Sequence, residues 1–212
     1  MPPLRLGHRG ARASSDFAEN TLESFQLCLD HGCDGFEFDV RRSSDGIAVI
    51  CHDPEVRGLT IARTSASELH LPTLDQVLAK FSSRAFLDIE LKVSGLESNT
   101  VRALHSSPPA QGFVVSSFDP EILRAVRRLN PSIPLGFLYD EARRSPNFDL
   151  VPEWIIPHVS LVTPDVISDF KARGIKVMSW TVNRPEEMER LRDWGIDALI
   201  SDDTILLAQI IR

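Results

Sequence analysis

Residues 35–41, Gly35-Phe36-Glu37-Phe38-Asp39-Val40-Arg41, alternate apolar and acidic side chains. At the strand period of two, Glu37 and Asp39 share one face, and Phe36, Phe38 and Val40 share the other. Residues 87–92, Leu87-Asp88-Ile89-Glu90-Leu91-Lys92, repeat the pattern and put Asp88, Glu90 and Lys92 on one face. On a one-sided antiparallel sheet such acids would simply be solvated. In a parallel barrel, with helices outside and packed side chains inside, neighbouring carboxylates on the inner face need a partner. Like charges in a low-dielectric site are tolerated when a cation sits among them, and ligands that are all oxygen select a hard ion such as Mg²⁺ or Ca²⁺. The pattern alone leaves two readings: a metal site, or solvated strand faces.

Outward from these stretches, apolar runs of strand length fall at 4–8, 47–52, 85–92, 113–118, 135–139, 156–162, 176–182 and 198–201. Helix-period segments lie between most of them. Residues 21–31 carry Leu22, Phe25 and Leu29 on one face; Thr73 is placed to cap 74–81; Asp119-Pro120 opens 121–129. Thr163-Pro164 precedes a segment that stops at Gly174, and Pro185 opens one that stops at Gly195. Counting the runs at 35–41 and 47–52 as one unit gives eight β units, the number in a (β/α)₈ TIM barrel. A doubly wound sheet has the same alternation, and the inward carboxylates tilt the choice to the barrel. The whole chain, 1–212, is expected to form one catalytic domain, with a short insertion after the second β unit. The weakest βα unit is 143–154, where Pro146 and Pro152 leave little room for helix.

Composition narrows the function. Lys and Arg number 23 against 30 Asp and Glu, a formal net charge of −7, with basic residues only in doublets such as Arg41-Arg42, Arg127-Arg128 and Arg143-Arg144. That balance disfavours a nucleic-acid partner. No segment approaches the roughly 18–20 unbroken apolar residues of a membrane span. Cys28, Cys33 and Cys51 form neither a CxxC pair nor an even framework, and the N-terminus has no secretory signature, so reduced thiols in a cytoplasmic protein are expected. The oligomeric state has no signature.

His8 and His52 stand at strand-to-loop junctions, where barrel enzymes place catalytic groups. Two imidazoles flanking a substrate can act as general base and general acid near neutral pH, although a lone histidine is more often structural. Arg9 and Lys92 could offset an anionic substrate, with surface ion pairs as the alternative, and Gly10 could let the backbone approach it.

In order and approximate spacing, His8-Arg9-Gly10, Glu19-Asn20-Thr21, Phe25, Glu37-x-Asp39-Val40, Asp45-Gly46 and His52-Asp53 resemble the glycerophosphodiester phosphodiesterase family. Pro72-Thr73-Leu74, Asp88-Ile89-Glu90-Leu91-Lys92, Ser116-Ser117-Phe118-Asp119, Trp180-Thr181-Val182-Asn183, and Gly195-Ile196-Asp197 through Ser201-Asp202 are similar to its later blocks. The resemblance spans nearly the whole chain and independently implies a (β/α)₈ barrel. It implies that Glu37, Asp39 and Glu90 bind one divalent cation, Mg²⁺ or Ca²⁺. It also implies that His8 and His52 are the acid–base pair and that Arg9 and Lys92 hold phosphate oxygens. Glu19 would be a further metal or neighbouring acidic group, or merely a helix N-terminal charge. Trp180 would wall the glycerol, with Phe118 a weaker and Ser116 a minor candidate.

The implied reaction is hydrolysis of a small-molecule glycerophosphodiester to sn-glycerol 3-phosphate and an alcohol, with the glycerol 2-hydroxyl or water as nucleophile. The rivals are a lysophospholipase D-type enzyme acting on acylated substrates, which an exposed apolar rim would favour, and an inactive barrel that binds headgroups. The chain departs from the family in its short 53–71 connection, in which Arg63-Thr64-Ser65 resembles an Arg-Thr-Thr segment. A small lid implies loose selectivity for the leaving alcohol. His31, His70, His105 and His158 match no catalytic block and read as structural or surface residues, while Asp88 and Asp202 have no assigned role.

Overall fold

The computed structural model describes residues 2–143 and 150–211. Eight parallel strands close on themselves: β1 (Leu4–Gly7), β2 (Gly35–Arg42), β6 (Phe86–Leu91), β7 (Phe113–Ser117), β8 (Leu135–Tyr139), β9 (Trp154–Pro157), β10 (Lys176–Ser179) and β11 (Ala198–Ser201), with β1 paired to both β11 and β2. β3 (Ala48–Ile50) runs antiparallel on β2. This is the expected (β/α)₈ barrel. The helices around it are α1 (Leu22–Asp30), α3 (Leu74–Phe81), α4 (Glu97–Ser106), α5 (Pro120–Leu129), α6 (Pro164–Ala172), α7 (Pro185–Asp193) and α8 (Thr204–Ile210). The insertion holds a hairpin, β4 (Glu55–Val56) and β5 (Leu59–Thr60), a 3₁₀ turn at Ile61–Arg63 and the short α2 (Ala66–Leu69), packed on a small core of Val49, Ile61 and Leu69. None of these helices is long and apolar enough to cross a membrane.

The alternation in 35–41 sorts side chains as its period requires. Phe36, Phe38 and Val40 point outward into the layer between barrel and helices, where Phe25 of α1 stacks on Phe36 at 4.3 Å and Phe81 of α3 meets it edge-on at 5.1 Å. Such aromatic pairs contribute about 0.5–1.5 kcal/mol beyond simple burial. A second core, with Leu6, Phe86, Val114, Ile156, Met178 and Ile200, fills the barrel interior. The β2–β6 register sets Glu37 beside Asp88 and Asp39 beside Glu90.

Local chemistry sets the helix starts. Thr73 caps α3 in a reciprocal box with Gln76, and Asp119 accepts from the Glu121 N–H ahead of Pro120; each such cap stabilises by about 1 kcal/mol. One expectation shifts and another holds as far as the described residues go. The strand placed at 156–162 is Trp154–Pro157, because His158 caps a 3₁₀ turn at Val159–Leu161. Between β8 and β9 no helix forms among the described residues, and Arg144 and Pro146 lie outside them. There Glu153 ties the layers, accepting from Leu135 N at 2.8 Å and from Arg127 Nη2 at 2.7 Å.

Candidate active site

At the C-terminal ends of the strands, a cavity of about 690 Å³ is lined by His8, Arg9, Glu37, His52, Glu90, Lys92, Phe118 and Trp180. Asp39, which does not line it, is buried next to Glu37 and Glu90. Glu37, Asp39 and Glu90 each present a carboxylate oxygen within 4.8 Å of the others. Three features fit this trio to a hard divalent ion: its donors are all oxygen, it is buried, and Glu37 Oε1 has no hydrogen-bond partner.

The charges of the site are strongly interdependent. Burial, then the proximity of Asp39 and Glu90, pushes the Glu37 carboxyl well above its usual range. Burial likewise pushes Glu90 up to about 7, against the pull of Lys92. Asp39 is also buried, but Lys92, the amide of Asn20 and Arg9 outweigh that burial and hold its carboxyl below the ordinary value. Asn20 Nδ2 donates to Asp39 Oδ2 at 2.8 Å. Lys92 Nζ lies 2.7 Å from Glu90 Oε1 and 3.3 Å from Asp39 Oδ1, and these anions raise its pKa despite burial.

The turn after β1 delivers two expected residues. Arg9 has φ +54°, and its N–H donates to Glu37 Oε2 at 3.0 Å while Nη1 reaches Glu19 Oε1 at 2.8 Å. His8 Nδ1 lies 2.6 Å from Asp202 Oδ1, and Nε2 lies 4.0 Å from Glu37 Oε2. His52, across the cavity, pairs Nδ1 with Asp53 Oδ1 at 2.8 Å. Burial lowers the His52 pKa, opposed by Asp39 and by the Asp53 bond.

The aromatic wall is pinned in place. Trp180 Nε1 donates to Ile156 O at 3.1 Å, and its ring meets Phe118 edge-on at 5.5 Å and His158 at 5.1 Å. His158 therefore buttresses the wall, in keeping with its structural reading.

Several expectations change at this resolution of detail. Of the alternatives for Glu19, the structure leaves the neighbouring acid rather than a member of the carboxylate trio: it bridges Arg9 and Arg12, which lower its pKa against burial. Gly10, at φ +83°, does not face the cavity. A Cβ there would come within 2.4 Å of Ser24 Oγ, so its small size serves the packing of α1. Ser116 points below the cavity, donating to Asp88 Oδ1 at 2.5 Å. Arg41, Asp140 and Arg143 also line the cavity, without having been expected there. Arg41 could have been found from strand period, since it continues the inward face of Glu37 and Asp39.

The model of the glycerophosphoryl diester phosphodiesterase family matches residues 8–105 and 64–206. A glycerophosphodiester phosphodiesterase of Caldanaerobacter subterraneus subsp. tengcongensis is 28% identical, over 100% of this chain and 99% of its own. The crystal structure of the Thermotoga maritima glycerophosphodiester phosphodiesterase superposes with a TM-score of 0.84 at 27% identity, covering 99% of both chains. An Oleispira antarctica phosphodiesterase, solved in complex with the product sn-glycerol-3-phosphate, gives 0.86 at 27% identity over 99% of this chain and 96% of that one.

Proposed function

This chain belongs to the glycerophosphoryl diester phosphodiesterase family, and from that premise we propose that it hydrolyses small glycerophosphodiesters to sn-glycerol 3-phosphate and an alcohol with the help of one divalent cation. The observation that carries the reading is the meeting of Glu37, Glu90, both candidate histidines, Arg9 and Lys92 around one cavity, with the Asp39 carboxylate within reach of Glu37 and Glu90.

Glu37, Asp39 and Glu90 would hold the cation, Mg²⁺ or Ca²⁺, which when bound polarises the phosphoryl group and acidifies a nearby hydroxyl. Arg9 and Lys92 balance the charge of the phosphate oxygens. His8 and His52 both have Nδ1 engaged by a carboxylate, which leaves Nε2 of each to move protons. One takes the proton of the attacking hydroxyl, from glycerol or from water, and the other protonates the departing alkoxide. Trp180 and Phe118 supply an apolar wall for the glycerol carbons.

A cytoplasmic setting and a role in lipid-derived glycerol metabolism suit the three free cysteines and the substrate class. Among the described residues, the large exposed apolar side chains Phe17, Ile47, Leu129, Val151 and Ile205 all lie off the cavity, which weighs against acylated substrates. Complete acid–base and carboxylate sets weigh against an inactive barrel. The test is release of sn-glycerol 3-phosphate from glycerophosphocholine with Mg²⁺, Ca²⁺ or EDTA. Release supported by either ion and abolished by EDTA is expected; equal release in EDTA would refute the metal requirement, and no release with any ion would refute the activity.

A further inference from the structure

Asp202 follows β11 directly, where the β1–β11 pairing of Gly7 with Ser201 brings it beside His8. Its Oδ1 lies 2.6 Å from His8 Nδ1 and accepts from Arg12 Nη1 at 3.1 Å; its Oδ2 accepts from Asn183 Nδ2 at 2.7 Å. Asn183 is itself fixed, because its Oδ1 accepts from Asp202 N at 2.9 Å and from Ser201 Oγ at 3.1 Å. Burial would raise the Asp202 carboxyl, but the bonds from His8, Asn183 and Arg12 hold it far below the ordinary range. An ionised carboxylate only accepts, so the shared proton sits on the ring nitrogen. The partner of His52 differs: Asp53 is adjacent in sequence and its side chain is 73% exposed, against 20% for Asp202.

We propose that Asp202 is a positioning residue for His8, holding the ring as the Nδ1-protonated tautomer so that Nε2 faces the cavity. Nε2 of that tautomer is the lone pair that can accept a proton, and the fixed carboxylate steadies the imidazolium that results. The Asn183 amide and Arg12 keep the carboxylate from swinging away when His8 changes charge. Its catalytic consequence rests on His8 acting as one of the acid–base pair.

Long-range proton–nitrogen correlation spectra of isotopically labelled wild type, with His8→Ala used to assign the signals, read the tautomer without any assay of activity. A proton on His8 Nδ1 is expected; a proton on Nε2 would overturn the proposal. Asp202→Asn presents an amide that can turn its N–H toward Nδ1, and should move the proton to Nε2. Its kcat should fall about 10²- to 10⁴-fold with KM changed only a few-fold, as wrong-tautomer substitutions do in catalytic triads. Asn183→Ala, which loosens the carboxylate without touching His8, should retain the wild-type tautomer and lose about 3- to 10-fold in kcat. In a His8→Ala background Asp202→Asn should cost little more; an undiminished loss there would mark Asp202 as a structural residue and overturn the proposal. Full activity of His8→Ala would refute the acid–base reading instead, while the wild-type tautomer still decides whether Asp202 sets the ring.

Discussion

Replacing Asp88 with Asn should change how the stability of the chelated protein depends on pH. Asp88 is fully buried in the barrel beside Glu37, with Oδ2 unpartnered and Oδ1 accepting from Ser116. Burial raises its carboxyl, the Ser116 bond opposes the rise, and the nearby Glu90 and Asp39 add to it, leaving it at about 7. An unfolded Asp ionises near about 3.9, so the folded state binds this proton more tightly. Its stabilisation is complete below the unfolded value and is lost as pH rises through about 7. Each tenfold change in proton affinity is about 1.36 kcal/mol, so from about pH 5 to about pH 8.5 this group costs the fold on the order of 3 kcal/mol. Asp88→Asn keeps the shape and removes the titration. The variant's unfolding free energy relative to wild type should therefore rise by that amount across the same range. Any fixed cost of the amide is equal at every pH and cancels. Urea unfolding followed by far-ultraviolet circular dichroism, with EDTA present, measures it. Wild-type and variant stabilities that stay parallel across the range would refute the picture of a proton-holding carboxyl inside the barrel.

His8→Ala and His52→Ala should each lower kcat at least about 10²-fold in folded protein, the low end for a positioned acid or base, whereas His105→Ala should do little; kcat within a few-fold of wild type would remove that histidine from the mechanism. Single Ala substitutions of Glu37, Asp39 and Glu90 should abolish activity without unfolding the chain, and unchanged activity in any of them would exclude that ligand. Because burial raises the Glu37 and Glu90 carboxyls, Glu90 to about 7, cation affinity should rise with pH and binding should release protons; calorimetry in buffers of different ionisation enthalpy should register that release, and its absence would contradict the raised carboxyls. No residue of the 53–71 insertion lines the cavity. Accordingly, kcat/KM for glycerophosphocholine, glycerophosphoethanolamine and glycerophosphoglycerol should agree within about 10- to 100-fold, with bis(p-nitrophenyl) phosphate much poorer; a preference above roughly 10⁴ for one headgroup would require a buried, hydrogen-bonded alcohol pocket.

The barrel was legible because its strands are short apolar runs separated by helices with strong punctuation. Asp119-Pro120, Thr163-Pro164 and the glycines at 174 and 195 mark boundaries that reappear within a residue or two. Two of the helices packed around the barrel escaped for physical reasons. α4 buries only Thr100, Ala103 and Leu104 and starts at Leu96 without a side-chain cap, so its apolar stripe is thin. α8 lies beyond the last strand and is short, starting from an Asp203 cap. The inward carboxylates were readable from period two. The tie between His8 and Asp202 was not, because it joins residues 194 positions apart and exists only once the first strand closes on the last. Likewise, nothing in Glu19-Asn20-Thr21 reveals that Asn20 reaches Asp39 while Glu19 turns to two arginines.

Lys92 gives the carboxylate trio a counter-charge that is part of the chain. A small domain whose only cation is a borrowed metal must wait for that metal before it can fold. With Lys92 already among the carboxylates, the barrel is expected to fold without the ion, and on the proposed metal requirement loading would be a late, reversible exchange at a completed scaffold. If the proposed metal requirement holds, chelation should silence the protein while leaving it folded, and returning the ion should restore activity to the same molecules.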